Sequence, residues 1–518
     1  MFEVVCFDLD NTLFDHDEAE IAAYDTVIQY IQSQFPLMEC NISKLNQAKQ
    51  DVKERVDTYE RALYFKTFLK KQQASPQLVL ECWKLFWNTF LQTCKLMPYA
   101  ENVLQLLQSL DTKQIIITNF DLVHQLQKLE TLQISQYFSD VVCSEEIACK
   151  KPSSLVYDYA LQNHNISKCC MIGDRFTEDI MGSLKAGLFA IHLNISQQIP
   201  FCIHTNKYIS VQNHQILHTF FQVCHEKLQA FIELCHRVGE RFDITQHTGG
   251  NISIKWDFLN YKCMFVKATG CHLATIDKIS GWSFGYILNN TFVHLFGEKP
   301  SIEACMHAVM SKEIVIHVHP TNIINNIKQL AATNCCQCIS YIPPGDELCQ
   351  AILPYKEHEC IYLENHGIVV NLELQSTLVC MYTLNSYIKT NQNEECIDQV
   401  CNTISFQSSS KCITLFSNCF LDPSLNLDML QHFFTPDTAV FLKQIVHFEA
   451  SFELSHCVVL FQQCFFCKAP TYKQALAMIE MLKVHLHLHL KNATNMYLTS
   501  SEASKLQTRP DEMFRLSK

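Results

Sequence analysis

The stretch that most constrains the fold is EVVCFDLDNTL at residues 3–13. A short apolar run from Val4 to Phe7 is followed at once by Asp8 and Asp10. This pattern predicts a buried central strand of an α/β sheet that delivers two carboxylates at its carboxyl end, where such sheets bind ligands. Two carboxylates this close repel each other unless a cation joins them, which indicates a Mg²⁺ site. One acid could then attack phosphorus while the other transfers protons, although an acidic surface turn is the alternative.

Length and composition bound the class of protein. A chain of 518 residues predicts two or three domains. The formal net charge of −12 argues against a basic surface for nucleic acid or anionic lipid, so we expect neither partner. No apolar run approaches a membrane span, and the N-terminus lacks the layout of a signal peptide. These features, with 27 scattered cysteines that fit a reduced pool, predict a cytoplasmic protein.

Strands and helices alternate after an initial helical stretch. Residues 15–95 carry helical patterns without a strand signal, which predicts a helical insertion after the first strand. Further on, apolar strands alternate with helices as far as residues 188–193, which predicts a parallel, doubly wound sheet. The polar residues at or near the ends of these strands are Asp8, Asp10, Thr118, Asn119, Lys151, Asp174 and Asp179.

Four motifs carry a resemblance across residues 1–195. FDLDNT, IIITN, KKP and GDRFTED occur in the order and spacing of the haloacid dehalogenase-like (HAD) superfamily. The resemblance implies that Asp8 is a nucleophile that forms an aspartyl-phosphate and that Asp10 is the general acid/base. A second acid at this position favours a phosphatase or phosphomutase over a dehalogenase. Of the two adjacent lysines, Lys151 matches the motif better than Lys150 because a proline follows it.

The same resemblance assigns the remaining polar residues. It implies that the phosphoryl oxygens bind Thr118, Asn119 and Lys151. It also implies that Mg²⁺ binds Asp174, Asp8 and the carbonyl group of Asp10, with Asp179 in support. Asp179 taken alone could instead be an acidic residue at a helix N-terminus. The segment at about 15–95 would be an all-helical cap that closes over the substrate and excludes water.

A change of pattern marks the domain boundary. Residues 199–214 mix polar residues with Pro200 and lack clear periodicity. We therefore predict a first domain at 1–198, a linker at 199–214 and a second domain at 215–518.

Two turns of the second domain combine glycine with polar side chains. HTGGNIS contains Gly250 and Asn251, and FVKATG contains Thr269 and Gly270, each beside a predicted strand. Backbone N–H groups and side-chain donors in such turns can bind an anion, although each turn taken singly is more typical of a plain hairpin.

Three histidines form a metal-binding pattern. His317 and His319 are two apart in an apolar, strand-like run, so both rings point the same way. His366 ends another apolar strand. Three histidines from strands, with an open fourth position, are typical of a catalytic zinc site, and buried core histidines are the alternative.

The second domain resembles class II aldolases and the related adducin head. The matching stretches, in family order, are HTGGNIS, FVKATG, KPSIE, VIHVHP and LENHG. Two tail stretches, 434–442 and 497–515, are similar to the longer rhamnulose-phosphate-aldolase-type members. The resemblance covers roughly 215–518 and implies an α/β/α fold of the class II aldolase type.

This second resemblance also assigns residue roles. It implies that Zn²⁺ binds His317, His319 and His366, with Glu303 beside it as the acid/base. It implies that the substrate phosphate binds Gly250, Asn251, Thr269, Gly270 and Ser301. Ile302 follows Ser301 where many relatives carry a second serine, so the phosphate site departs from the family pattern there.

Alternatives within this fold differ in a few residues. Ribulose-phosphate 4-epimerases usually carry aspartate where Glu303 stands, so glutamate favours an aldolase. Methylthioribulose-phosphate dehydratases carry an aromatic-rich stretch after the last histidine, where this chain has IVVNLEL. Adducin heads lack the metal histidines and serve as interaction modules. Class II aldolase folds tend to form tetramers, so the resemblance also implies a homo-oligomer.

The sequence thus predicts a bifunctional enzyme of small phosphorylated metabolites. The first domain would be a Mg²⁺-dependent phosphatase, and the second a Zn²⁺-dependent aldolase that cleaves a sugar phosphate. The alternative is a phosphatase fused to an epimerase, a dehydratase or a non-catalytic binding scaffold of the aldolase fold.

Overall fold

The chain folds into two compact units, Met1–Cys224 and His225–Lys518, in a computed structural model. The residues that the structure describes are 1–56, 58–70, 74–204, 208–321, 323, 327–388, 404–408, 413–417, 442, 445–447, 457–461, 464–469 and 471–490. Among these residues, no helix combines the length and the apolar character that crossing a membrane would require.

A seven-stranded sheet forms the centre of the first unit. Its strands are β1 (Val4–Phe7), β2 (Lys113–Thr118), β3 (Asp140–Cys143), β4 (Cys169–Gly173), β5 (Phe189–Leu193), β6 (Phe201–His204) and β7 (Tyr208–Val211). They lie in the order β3-β2-β1-β4-β5-β7-β6, and all neighbours are parallel except the β7–β6 pair. All four residues of β1 are fully buried because neighbouring strands pair with both of its edges. The predicted doubly wound parallel sheet is confirmed.

Nine helices accompany this sheet in the described residues up to 204. They are α1 (His16–Gln34), α2 (Ile42–Lys53), α3 (Arg61–Phe68), α4 (Pro76–Thr93), α5 (Ala100–Ser109), α6 (Leu122–Thr131), α7 (Ser144–Ile147), α8 (Ser154–Ala160) and α9 (Gly182–Ala186). The first four lie in the segment predicted to be the helical cap, and we call this segment the cap below. α1 begins where the Asp15 side chain accepts a hydrogen bond from Glu18 N, and α4 where Ser75 accepts one from Leu78 N. The sequence therefore encodes the starts of the cap helices locally.

The predicted linker at 199–214 is wrong. β6 and β7 lie within this range and form one edge of the sheet, where β7 pairs with β5. The side chains of Phe201, Ile209 and Val211 are buried, so the segment belongs to the core of the first unit. The two units divide instead within the next helix, α10 (His214–Gly239).

An eight-stranded, mostly antiparallel sheet organises the second unit. Its strands are β8 (Asn251–Phe258), β9 (Tyr261–Lys267), β10 (Trp282–Leu288), β11 (Thr291–Gly297), β12 (Ile314–Val318), β13 (Gln337–Ile339), β14 (Cys360–Leu363) and β15 (Gly367–Leu372). They lie in the order β11-β10-β9-β8-β12-β15-β14-β13. The helices beside them are α11 (Ala304–Val309), α12 (Ile327–Thr333), α13 (Asp346–Ile352) and α14 (Thr377–Ile388). This mixed helix and sheet arrangement agrees with the predicted α/β class.

A five-stranded sheet follows in the second unit. Its strands are β16 (Ile404–Ser408), β17 (Ile413–Ser417), β18 (Ile445–His447), β19 (Cys457–Phe461) and β20 (Cys464–Ala469), in the order β16-β17-β20-β19-β18. The last described helix is α15 (Tyr472–Leu490). The tail stretches that carried part of the aldolase resemblance, 434–441 and 497–515, lie outside the described residues.

Candidate active sites

The carboxyl ends of three strands bring the acids of the first unit together. β1 lies between β2 and β4 in parallel register, so all three strands end at one edge of the sheet. Asp8 follows β1, Thr118 ends β2 and Asp174 follows β4. Carboxylate oxygens of Asp8, Asp174 and Asp179 lie within 4.8 Å of one another. The edge predicted from the sequence is therefore the place where the acids meet.

A buried lysine joins two of these acids. Lys151 Nζ donates to Asp8 Oδ1 at 2.7 Å, to Asp179 Oδ1 at 2.6 Å and to the carbonyl of Ile117 at 2.7 Å. The backbone N–H of Lys151 donates to Asn119 Oδ1 at 2.8 Å, which fixes the loop that carries the lysine. Lys151, not Lys150, is thus the lysine of this site.

Asp179 reaches the sheet because residue 173 is glycine. A Cβ built on Gly173 would lie 2.3 Å from Asp179 Oδ2, a separation that real Cβ atoms do not show. The carboxylate of Asp179 accepts from Lys151 through one oxygen and from the backbone N–H of Arg175 through the other, at 3.0 Å. With both oxygens engaged, Asp179 orients the lysine and the loop after β4.

Asp10 has a separate cationic partner. Lys128 Nζ, from α6, donates to Asp10 Oδ1 at 2.7 Å and is almost fully buried. Burial opposes ionisation of Asp10, but Lys128, with His16 and Arg61, outweighs it and lowers the pKa of Asp10 to about 2. Asp10 is therefore ionised in this structure, the form that can accept a proton from water.

Asp8 and Asp174 have too little positive charge around them to stay fully ionised at neutral pH. Burial, opposed by Lys151 and reinforced by the neighbouring carboxylates, raises the pKa of Asp8 to about 8. Burial and Asp179 raise the pKa of Asp174 to about 6. A divalent cation between these oxygens would remove the repulsion, so the donor set fits Mg²⁺, which prefers carboxylate oxygens.

These residues open onto a cavity of about 240 Å³ between the sheet edge and the cap. Asp8, Asp10, Thr118 and Asn119 line its sheet side. Gln125 Nε2 donates to Thr118 Oγ1 at 2.6 Å and so leaves the hydroxyl hydrogen available to a ligand. The cavity is large enough for a small phosphorylated molecule next to the acids.

Three strands position the histidines of the second unit. β12 pairs with β8 on one side and β15 on the other, and its register sets His317 opposite Asn251. His319 follows β12, and His366 precedes β15. A Cβ on Gly367 would lie 2.1 Å from the carbonyl oxygen of Val318, so glycine is required where β15 approaches β12.

The histidine nitrogens converge on one point. His317 Nε2 lies 3.0 Å from His319 Nε2 and 3.3 Å from His366 Nε2. His317 Nδ1 lies 2.9 Å from the carbonyl of Ile368, which can only accept, so Nδ1 carries a hydrogen and Nε2 is the nitrogen that faces the other rings. Burial lowers the pKa of His366 to about 4, which keeps this ring neutral. Three imidazole nitrogens that converge in this way fit a Zn²⁺ ion.

Glu303 completes this cluster. Its Oε1 lies 3.4 Å from His317 Nε2 and 3.2 Å from His366 Nε2. Burial would raise the pKa of Glu303, but the two histidines lower it well below its usual range. Asn251 Nδ2 donates to Glu303 Oε2 at 2.9 Å and to Ser301 Oγ at 2.6 Å, so one amide orients both residues.

The residues expected at the substrate phosphate lie beside the histidines. Gly250, Asn251, Thr269, Gly270 and Ser301 all line one cavity with His319, His366 and Glu303. The cavity measures about 20 Å³, room for an ion or a water molecule. Lys267 also lines it and donates from Nζ to the carbonyl of Thr248 at 2.7 Å.

The sequence reasoning missed Lys128, Gln125 and Lys267. Lys128 and Gln125 lie in an amphipathic helix whose polar residues read as solvent-exposed, and only the three-dimensional arrangement buries them. Lys267 stands next to the ATG turn, so its position in the FVKATG stretch was an available signal.

Family profiles match both halves of the chain. The family described as haloacid dehalogenase-like hydrolase matches residues 5–193. The family described as class II aldolase and adducin N-terminal domain matches residues 229–389.

Known phosphatases are similar to the first unit. Ribulose-1,5-bisphosphate 5-phosphatase of Halopiger xanaduensis is 29% identical over 208 residues, which cover 38% of this chain and 87% of that protein. Glyceraldehyde 3-phosphate phosphatase of Methanothermobacter thermautotrophicus is 27% identical over 197 residues, 38% of this chain and 86% of that protein. Human N-acylneuraminate-9-phosphatase is 30% identical over 214 residues, 38% of this chain and 84% of that protein. The chain therefore belongs to the haloacid dehalogenase-like hydrolase family and joins to that unit a class II aldolase and adducin N-terminal domain.

Proposed function

We propose that the chain is a bifunctional enzyme of small phosphorylated metabolites. Its first unit would hydrolyse phosphomonoesters with Mg²⁺, and its second would cleave a sugar phosphate by a Zn²⁺-dependent aldol reaction. The relatives of the first unit carry the names of phosphatases of sugar phosphates and related compounds, which supports the first assignment.

The observation that carries the phosphatase proposal is the contact of Lys151 with Asp8 at 2.7 Å at the end of the central strand. Asp8 would attack phosphorus and become an aspartyl-phosphate, while Lys151 and Thr118 bind the phosphoryl oxygens. A phosphoryl dianion beside Asp10 would raise its pKa, so Asp10 would take up a proton as the substrate binds. It would pass this proton to the leaving oxygen and then, ionised again, take a proton from the water that hydrolyses the intermediate. Bound Mg²⁺, held by Asp8, Asp174 and the Asp10 carbonyl, would neutralise charge on the phosphoryl group.

Hydrolysis of p-nitrophenyl phosphate tests this proposal. The full chain should release p-nitrophenol in the presence of Mg²⁺ and lose this activity on chelation. Asp8→Asn should abolish turnover, since the amide cannot act as the nucleophile. Asp158→Asn, at an exposed site of the same unit, is the matched control and should keep wild-type activity. Full activity in Asp8→Asn would refute the assignment of the nucleophile.

The lyase proposal depends on the convergence of three imidazole nitrogens and Glu303. Glu303, placed by Asn251, would deliver a proton to the substrate carbon that loses its bond to the departing aldehyde. The hydroxyl group that becomes the aldehyde carbonyl would release a proton in the same reaction, so the protons balance. Thr269 and the turns at Gly250 and Gly270 would bind the phosphate of the ketose, since Asn251 already donates both amide hydrogens to Glu303 and Ser301. A Zn²⁺ ion on the three histidines would supply Lewis-acid polarisation of the substrate carbonyl.

Metal analysis separates a lyase from a binding scaffold. The purified chain should carry about one zinc ion, and His317→Ala should lose it. His358→Ala, an exposed histidine of the same unit, should retain it. A chain without zinc after expression in zinc-supplemented medium would contradict the lyase proposal and leave the phosphatase proposal untouched.

A further inference from the structure

The cap side of the 240 Å³ cavity is rich in cations. Lys49 and Lys53 from α2 and Arg61 from α3 all line it, together with Glu20 from α1. Asp17, also from α1, lines the same cavity, but its carboxylate contacts Asn11 and His16. Three positively charged side chains therefore share this wall with two carboxylates, of which only Glu20 contacts them. None of these residues belongs to the motifs that position the acids at the sheet edge.

Arg61 is held rigidly at the wall. One guanidinium nitrogen donates to Glu20 Oε1 at 2.8 Å and another to the carbonyl of Tyr59 at 2.6 Å. Its guanidinium carbon lies 5.5 Å from the ring of Trp87 and 5.6 Å from that of Phe120. The remaining nitrogen, Nε, is buried without a hydrogen-bond partner. Because solvent does not reach Nε, Arg61 acts on the cavity through its positive charge and its other two nitrogens.

Glu20 cannot neutralise all three cations. Its second oxygen accepts from Lys49 Nζ at 2.9 Å, so one carboxylate serves both Lys49 and Arg61. No carboxylate lies within ion-pair distance of Lys53 in the described part of the cap. The ammonium of Lys53 lies 5.5 Å from the ring centre of Tyr59. Burial and the neighbouring Lys49 lower the pKa of Lys53, and Glu20 opposes them only in part.

The sheet side of the cavity shows the opposite balance. Lys128 is paired with Asp10 at 2.7 Å, and Arg175 with Glu178 at 3.1 Å. Each of these two cations has its own carboxylate. The unmatched positive charge of the cavity is therefore concentrated on the cap, across from the acids that would hold the reacting phosphate.

We propose that Lys49, Lys53 and Arg61 form a subsite for a second anionic group of the substrate. The first unit then acts on phosphomonoesters that carry another phosphate or a carboxylate at the end remote from the scissile bond. This inference rests on the proposed phosphatase activity of the same cavity. Arg61, with its planar set of donors, suits a phosphate or carboxylate, and Lys53 supplies the charge that Glu20 does not cancel.

Steady-state kinetics on matched substrate pairs test the subsite. Release of inorganic phosphate is measured for fructose 1,6-bisphosphate against fructose 6-phosphate, and for 3-phosphoglycerate against glycerol 3-phosphate. The preference is the ratio of kcat/KM for the member with the second anion to that for its counterpart. We expect a preference of about tenfold or more in at least one pair, the scale of a charge-assisted hydrogen bond. The pair that shows it identifies phosphate or carboxylate as the second anion.

Substitution of Lys53 locates the subsite. Lys53→Gln should reduce the preference about tenfold, mainly through KM, and Lys53→Arg should restore it. Lys66→Gln, an exposed lysine of the cap, is the control and should leave the preference unchanged. Because Lys53 is exposed at the end of α2, its substitution spares the packing that Arg61 provides.

The negative outcomes are distinguishable. If p-nitrophenyl phosphate is hydrolysed but neither pair shows a preference, or if Lys53→Gln keeps it, the subsite is refuted and the phosphatase stands. If no phosphomonoester is hydrolysed by the wild-type chain with Mg²⁺, the proposed function itself fails.

Discussion

The glycine at the end of β4 offers a sharp test of the acidic site. A Cβ on Gly173 would lie 2.3 Å from Oδ2, 2.4 Å from Cγ and 2.6 Å from Cβ of Asp179. Because the whole side chain is too close, rotation of the carboxylate cannot relieve the clash. Gly173→Ala must therefore displace the short π-helix Phe176–Met181 that carries Asp179.

The cost of this displacement follows from the contacts that Asp179 makes. Its buried carboxylate accepts from Lys151 Nζ at 2.6 Å and from Arg175 N at 3.0 Å. Each charge-assisted hydrogen bond stabilises the fold by about 1.5–3 kcal/mol, and Lys151 would remain buried with one partner fewer. We expect Gly173→Ala to lower the free energy of unfolding of the first unit by about 3–5 kcal/mol, near the upper end for a single substitution.

Hydrogen exchange of the β1 and β2 amides, measured by mass spectrometry, reports that free energy for the first unit alone. Gly187→Ala is the matched control. Its φ of +96° disfavours alanine, but the nearest atom to the new Cβ is 3.6 Å away, so the expected cost is only about 1–2 kcal/mol of backbone strain. If Gly173→Ala costs no more than Gly187→Ala, Asp179 does not depend on the glycine and the reasoning is wrong.

Three further predictions concern single residues. Gly367→Ala should abolish zinc retention, and metal analysis of the purified variant measures this. The new Cβ would lie 2.1 Å from the carbonyl oxygen of Val318 and would separate the strands that carry the histidines. Lys128→Met should lower kcat for p-nitrophenyl phosphate at least roughly tenfold, with a smaller change in KM, because Asp10 loses the cation that keeps it ionised and oriented. An unchanged kcat in steady-state kinetics would contradict this prediction. Burial lowers the pKa of Lys255 to about 7, whereas in the unfolded chain its pKa returns to about 10.4, so between these pH values the unfolded chain binds more protons. The stability of the second unit should therefore rise from pH 7 to pH 9.5, and Lys255→Met should remove on the order of 2–3 kcal/mol of that rise in urea unfolding at the two pH values.

The sequence was sufficient to locate the acids because strand ends are local signals. Asp8, Thr118 and Asp174 each follow an apolar run, and parallel pairing then brings the ends of their strands together without further information. The histidines were similarly accessible, since alternation within one strand puts His317 and His319 on the same face. What this reasoning could not supply was the order of the strands that brings His366 to them.

The residues and strands that the sequence did not predict lie where tertiary packing overrides the local pattern. Lys128 lies in QLQKLETL, where a lysine reads as exposed, yet its ammonium is buried 5.4 Å from the ring centre of Phe90 and 5.1 Å from that of Phe120. Phe90 belongs to α4 of the cap, so the local sequence around Lys128 does not reveal this contact. The strands at 201–204 and 208–211 are four residues each, and they are too short and too close to a proline to be recognised as strands in the sequence. They form because β7 pairs with the free edge of β5.

The two clusters differ in what can replace a metal ion. In the acidic cluster a proton can take its place, since the pKa of Asp8 is raised to about 8 and Lys151 already bridges two carboxylates. In the imidazole cluster the pKa of His366 is about 4, and two ring nitrogens lie 3.0 Å and 3.3 Å from His317 Nε2. At these distances, either one ring nitrogen of each pair carries a hydrogen that it donates to the other, or an ion lies among the three rings.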